Sequence, residues 1–230
     1  KSVLLVDLDP QGNATMGSGV DKNELDVTLN DWLMHDQPLS RLHQITQAGY
    51  HVLPANIDLT AAEVGLMAVA RREFAITDRL QAQASQYEYV IIDCPPSLNI
   101  LTVNALVAAT GVLIPMQCEY YALEGLSALL DTVEGIRSKA NPSLELDGLV
   151  RTMYDARNGL SRDVSRQLIK YFGDKVFRTV VPRNVRVAEA PSHGLPVTLY
   201  DRTSRGSLAY LALAGEMLKR HGQTAVRSAG

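Results

Sequence analysis

Asp7, Asp9 and Asp93 are the residues of this sequence best placed to do chemistry. Val3-Leu4-Leu5-Val6 runs directly into Asp7 and Asp9, and Tyr89-Val90-Ile91-Ile92 runs into Asp93. A carboxylate at the carboxyl end of a strand stands where parallel sheets open their binding loops. There it can hold a divalent cation through the ion's water shell, or orient a water for attack. One such aspartate reads equally well as the cap of a following helix. Three of them point to a site.

The elements that must carry these residues follow from the apolar pattern. Continuous β-rich runs at 3–6, 50–53, 89–92, 112–114, 146–153 and 176–181 suit strands covered on both faces. Helical stretches lie between them. One covers 59–85 and breaks near Ala70; one covers 122–140 and stops before Asn141-Pro142. Another covers 161–172, with Ser161 as N-cap and Gly173 as stop, and the last covers 204–221. This alternation predicts an α/β fold, a doubly wound and mostly parallel sheet with helices on both faces. The expected organisation is a single domain over 1–221 with a flexible polar tail over 222–230.

Composition narrows the classes. At 230 residues, 46% hydrophobic and 20% charged, the chain can bury a sizeable core. No apolar run reaches the ~20 residues that cross a bilayer. The opening run leads straight to Asp7, which is unlike a signal peptide. Two cysteines, Cys94 and Cys118, are too few for a disulfide framework and read as buried thiols of a cytoplasmic protein. The net charge of −3 conceals a basic segment: from Arg151 to Gly206, 11 Lys and Arg stand against 5 Asp and Glu. A polyanionic partner would be met there.

The strings around these positions are more specific than the pattern. Val6-Asp7-Leu8-Asp9-Pro10-Gln11-Gly12-Asn13 resembles the second nucleotide motif of the ParA/MinD ATPases. Asp93-Cys94-Pro95-Pro96-Ser97-Leu98 resembles their Walker B motif. The string from Ile114 to Gly125, with Val181-Pro182-Arg183-Asn184-Val185-Arg186 and Glu189-Ala190-Pro191-Ser192-His193-Gly194, is similar to the chromosomal ParA (Soj-like) branch. The resemblance runs from Lys1 to about Arg220. It implies a P-loop NTPase of the deviant Walker A class, working with ATP and Mg2+ in DNA partition.

By that resemblance Asp9 is the hydrolytic aspartate that orients the attacking water. Asp7 beside it organises the switch loop and the water shell of the metal, and Asp93 contacts Mg2+ through water. The adenine is expected against Thr152, Met153, Pro182 (through its carbonyl), Arg183 and Asn184. Relatives such as MinD carry Asn where Thr152 stands. Arg157 and Arg186 match the DNA-contacting arginines of the family, and Arg162, Arg166, Lys170, Lys175, Arg178 and Arg183 extend the basic stretch. Arg162, Arg166 and Lys170, at i, i+4 and i+8, read equally as a solvated helix face. The implied partners are a second subunit in an ATP-bound homodimer, non-specific DNA and a ParB-type centromere-binding protein, with no membrane. The implied location is the cytoplasm, on the nucleoid.

One departure is large. The family carries a loop of the form Lys-Gly-Gly-Val-Gly-Lys-Thr-Thr, whose amides and lysines hold phosphate. No Gly-x-x-x-x-Gly-Lys-Ser/Thr string occurs in these residues. The sequence is therefore expected to lack the first strand, phosphate loop and helix of the fold, and to bind ATP poorly by itself. Two other readings remain: a MinD-like positioning ATPase, which needs an amphipathic membrane anchor that 222–230 does not offer, and a non-catalytic DNA-binding scaffold. Trp32 reads as helix packing, and Tyr120-Tyr121 as core or partner surface.

Overall fold

The computed structural model describes residues 1–35, 37–81, 84–120 and 122–228, with the side chains of 223–228 left aside. Tyr121 lies outside the described residues. The chain divides into two compact units.

The first unit comprises Lys1–Thr110, Ile136–Leu144 and Ala190–Pro196. It contains β1 (Val3–Asp7), α1 (Asn13–Gly17), α2 (Leu29–Met34), α3 (Leu39–Leu42), β2 (Gln44–Ile45) and β3 (His51–Leu53). These are followed by α4 (Leu59–Leu66), α5 (Ala75–Leu80), β4 (Tyr89–Asp93) and α6 (Ile100–Ala108). The strands lie in the order β2-β3-β1-β4, with β1 parallel to both neighbours and β2 antiparallel to β3. β1 is central, and Leu4 and Val6 are fully buried. β4 lies at the edge of this sheet; Val90 and Ile92 pack against the core, whereas Ile91 on the other face is 46% exposed, where the continuous apolar run suggested cover on both faces. Around β1 the core gathers Leu8, Leu29, Trp32, Leu53, Leu59, Ile76 and Leu101. Trp32 thus packs from α2, as its sequence setting suggests. The stretch 59–85 is broken where expected: Arg71 adopts φ 56°, and a 3-10 turn at Arg72–Phe74 leads into α5. Buried Asn104 secures that junction. Its amide donates to the Arg72 carbonyl at 2.8 Å and its oxygen accepts the Ile76 N–H at 3.2 Å.

The second unit comprises Gly111–Gly135, Glu145–Glu189 and Val197–Gly230. It contains β5 (Gly111–Gln117), α7 (Ala122–Lys139, carried here through Gly135), β6 (Glu145–Tyr154), α8 (Gly159–Phe172) and β7 (Val176–Pro182). α9 (Val185–Glu189), α10 (Val197–Tyr200) and α11 (Arg205–Ser228) complete it. β5, β6 and β7 form a parallel sheet in that order. Successive residues of β6 face opposite layers, as a strand requires. Leu149 packs with Ile114, Leu126, Val164 and Leu168, whereas Val150 packs with Phe177, Val181 and Leu213 of α11. Both faces of this sheet are covered, as the sequence indicates.

Two helix ends differ from expectation. α8 begins at Gly159, because Asn158 caps it by accepting the Leu160 N–H; Ser161 is buried and donates to the Cys118 carbonyl at 3.2 Å. α11 continues past His221 to Ser228. It is held to β7 by Glu216, which accepts the amides of Arg178 and Thr179 and the Thr179 hydroxyl at 2.7–2.8 Å, and Arg220 at 2.9 Å.

Candidate nucleotide-binding loops and basic face

β1 and β4 run in register, and the last pair of that register sets Asp7 opposite Asp93. The Leu8 amide donates to the Asp93 carbonyl at 2.8 Å, which carries the ladder one step beyond the pair. The carboxyl ends of two adjacent strands therefore hold all three aspartates singled out in the sequence.

They are not equivalent. Asp7 is fully buried. Its Oδ2 accepts the amide and hydroxyl of Thr15, both at 2.7 Å, and its Oδ1 accepts the Asp9 N–H at 3.2 Å. Burial raises the pKa of Asp7 against the pull of these hydrogen bonds. Its geometry is that of a loop organiser. Asp9 is half-buried, with Oδ1 accepting the Gln11 N–H at 2.9 Å. Beyond it, Gly12 takes φ 62°, and a Cβ there would come within 2.6 Å of the Ala55 carbonyl, so only glycine lets the loop pass. Asp93 reaches solvent, yet the protein packed around its carboxyl, and then the charges of Asp7 and Asp9, push it up to about 6. Among the described residues no three His, Cys, Asp or Glu side chains converge to ligate a metal directly.

Sequence reasoning passed over two residues of this loop. Thr15 is fully buried, and its hydroxyl, besides serving Asp7, accepts the Ala55 N–H at 2.9 Å. Lys22 donates through Nζ to the Gln11 carbonyl, bringing a cation to the loop that follows Asp9. Neither lies in a string with a visible spacing signal. Cys94 is half-buried and Cys118 buried: burial and then the Asp93 charge push the Cys94 thiol up to about 12, and burial raises Cys118.

In the second unit the end of β6 is strained. Met153 adopts φ 48°, a region non-glycine residues rarely occupy, and is 43% exposed. It lines a cavity of about 130 Å³ together with Gln117, Glu119, Asp155, Asn158 and Arg183. Of the five residues expected around the base, Met153 and Arg183 line this cavity, whereas Thr152, Pro182 and Asn184 do not figure in its described lining. Thr152 instead pairs with Gln117 across β5 and β6, and Asn184 accepts the Val187 N–H at 3.3 Å at the start of α9. A larger, mostly apolar concavity of about 780 Å³ between β5 and α7 shares Gln117, Glu119, Asn158 and Leu160 with it.

The basic segment has a buried member. Arg151 on β6 is 8% exposed and donates to the Ser165 hydroxyl at 2.9 Å and to the carbonyls of Phe177 and Arg178 at 2.8 and 3.1 Å. The β6–β7 register shifts on either side of Arg151, so the guanidinium takes carbonyls in the irregular part of the ladder. Outside, Arg157 makes a two-point pair with Asp155, Nε to Oδ1 at 3.0 Å and Nη2 to Oδ2 at 2.8 Å. Arg186 pairs with Glu189 at 2.8 Å and with Asp201 at 3.4 Å. Arg162, Arg166 and Lys170 all lie on the exposed side of α8, opposite buried Val164, Ser165 and Leu168, and Arg166 pairs with Asp163.

Comparison with known proteins bears on these loops. The family model described as an AAA domain matches residues 1–146. The chromosome partitioning protein ParA of Caulobacter vibrioides is 50% identical over 221 residues, covering 95% of this chain and 83% of that protein. The chain belongs to the ParA/Soj family of chromosome-partitioning ATPases. The sporulation initiation inhibitor protein Soj of Bacillus subtilis is 49% identical over 218 residues, 94% of this chain and 86% of its own length. A crystal structure of cobyrinic acid a,c-diamide synthase from Mycobacterium smegmatis superimposes with a TM-score of 0.82 at 38% identity, covering 95% of this chain and 82% of that one. That protein has also been crystallised with ADP and magnesium, and with an ATP analogue and magnesium. For a ParA/Soj member the α/β architecture and parallel strand pairs are those expected. Among the described residues no helix is long and apolar enough to cross a membrane.

Proposed function

We propose that this protein is a DNA-partitioning ATPase that binds ATP and Mg2+, dimerises on ATP, binds DNA without sequence preference, and hydrolyses ATP under stimulation by a ParB-type partner. The observation that carries the reading is the in-register pair Asp7 and Asp93 on adjacent strand ends, with Asp9 two residues beyond. Mg2+ supplies charge neutralisation at the phosphates. When Mg2+ is bound, Asp93 would hold one of its waters, a role that suits a carboxyl that reaches solvent. Asp7, with both oxygens engaged by Thr15 and Asp9, fixes the loop. Asp9 then orients a water. Because phosphoryl transfer depends on positioning more than on covalent chemistry, small displacements of this loop reduce turnover strongly.

Met153 and Arg183 line the side of the base, and Arg157 and Arg186 neutralise DNA phosphates. No Gly-x-x-x-x-Gly-Lys-Ser/Thr string occurs in these residues, and the ATP-binding reading is for the protein that carries one. The test therefore uses the polypeptide that carries such a loop. Asp9→Ala is expected to keep ATP binding and dimerisation and to lose turnover by at least about 100-fold. Undiminished phosphate release by that variant would refute the role of Asp9.

A further inference from the structure

The two arginines read as DNA contacts share a feature that the sequence does not advertise: each is already occupied by carboxylates of its own unit. Asp155, two residues before Arg157, takes the Nε–Nη2 edge of its guanidinium at 3.0 and 2.8 Å. It also accepts the Arg157 amide at 3.0 Å, so the loop itself fixes the pair. Glu189, three residues after Arg186, takes its Nη1 at 2.8 Å, while Asp201 stands 3.4 Å from its Nε. Tyr200 donates to the same Glu189 oxygen at 3.3 Å.

We propose that Asp155 and Glu189 are built-in counter-anions, so that Arg157 and Arg186 reach a DNA phosphate only by exchanging one anion for another. This rests on the reading of both arginines as DNA contacts. The geometry supports exchange rather than simple addition. A two-point pair leaves only the far edge of the guanidinium, and a phosphate there sits one guanidinium width from the aspartate. Arg157 is nonetheless 91% exposed, so its pair is a surface pair, weak and quick to open. Asp155 has a second claim on it. It lines the small cavity with Met153 and Arg183, and after Arg157 itself, Arg183 also holds its carboxyl down. The counter-anion of the DNA face is thus also a wall of the candidate base pocket. Asp155 and Glu189 act through the arginines and are positioning residues.

The test is binding of random-sequence duplex DNA to the full-length protein loaded with ATP and Mg2+, for the wild type, Asp155→Asn, Arg157→Ala and the double variant. Asp155→Asn is expected to tighten binding by roughly two- to fivefold, the range of an exposed ion pair. The gain should vanish in the Arg157→Ala background. A gain of equal size in that background would mark a general charge effect and overturn the proposal. Asp155→Asn without any gain, beside a weakened Arg157→Ala, would also overturn it while leaving the DNA contact intact. If Arg157→Ala binds as wild type does, the DNA reading itself fails and the counter-anion falls with it. Glu189→Gln and Arg186→Ala repeat the cycle at the second position.

Discussion

Thr15 holds Asp7 by two hydrogen bonds to one oxygen, amide and hydroxyl both at 2.7 Å from Oδ2, and both residues are completely buried. The same hydroxyl accepts the Ala55 N–H, so one small side chain joins β1, α1 and the loop leaving β3. A buried polar group that loses its partner costs its full desolvation penalty. Thr15→Val keeps the shape and removes the hydroxyl, leaving the Ala55 amide unpaired and Asp7 one donor short. It is expected to destabilise the protein by about 1–3 kcal/mol in urea unfolding. Thr15→Ser should recover most of that loss, and an unchanged midpoint in Thr15→Val would contradict the account.

Asp93 makes a prediction about pH. Its folded pKa of about 6 lies above the ordinary carboxylate value of 3.8. Ionising it therefore costs the folded state stability, a cost that is absent at low pH and develops as pH rises through about 6. Without magnesium, Asp93→Asn should raise the melting temperature at pH 7.5, and the gain should disappear by about pH 4. A gain that stays the same at both values would show that charge is not its origin.

Glu216 behaves in the opposite sense. Burial alone would raise its pKa, but the amides of Arg178 and Thr179, the Thr179 hydroxyl and Arg220 outweigh it and hold the carboxyl at about 2. Its contribution is complete above the ordinary value of 4.5 and is lost as pH falls toward about 2. Glu216→Gln is expected to cost about 1–2 kcal/mol at pH 7, after allowance for solvent screening, and the gap to wild type should close as pH approaches 2. Denaturant titrations at a series of pH values would read this directly.

Arg157 and Arg186 predict a response to salt. If each neutralises one phosphate, removing either should weaken binding on every duplex sequence. It should also reduce the slope of log affinity against log salt by about 1. Loss confined to one sequence would argue for base reading instead.

The site was legible in the sequence to the extent that it is carried by strand ends. Asp7 and Asp93 terminate apolar runs, so their juxtaposition needed only a parallel pairing of β1 with β4. What hid was whatever depends on side-chain direction or on loops. Thr15 stands outside any apolar run, and only the fold turns it toward Asp7. Asn158, not Ser161, caps α8 because Ser161 faces the interior, which spacing alone does not reveal. Thr152 and Asn184 sit in the expected strings but spend their backbone or side chain on a strand pair and a helix start. The edge position of β4 was illegible for a related reason: an apolar run reports what a strand prefers to meet, not how many neighbours it has.

The pair of Asp155 and Arg157 sets what can tune the basic face. A guanidinium stays protonated at any pH a cell visits, and Asp155 is held at about 2, so neither partner changes charge through the neutral range. Acidification within the cell would leave that contact untouched. Ionic strength would not, because a cation that neutralises a phosphate of a polyanion releases condensed counterions, and added salt opposes that release. If Arg157 meets a DNA phosphate, that grip should follow the salt and ignore the proton.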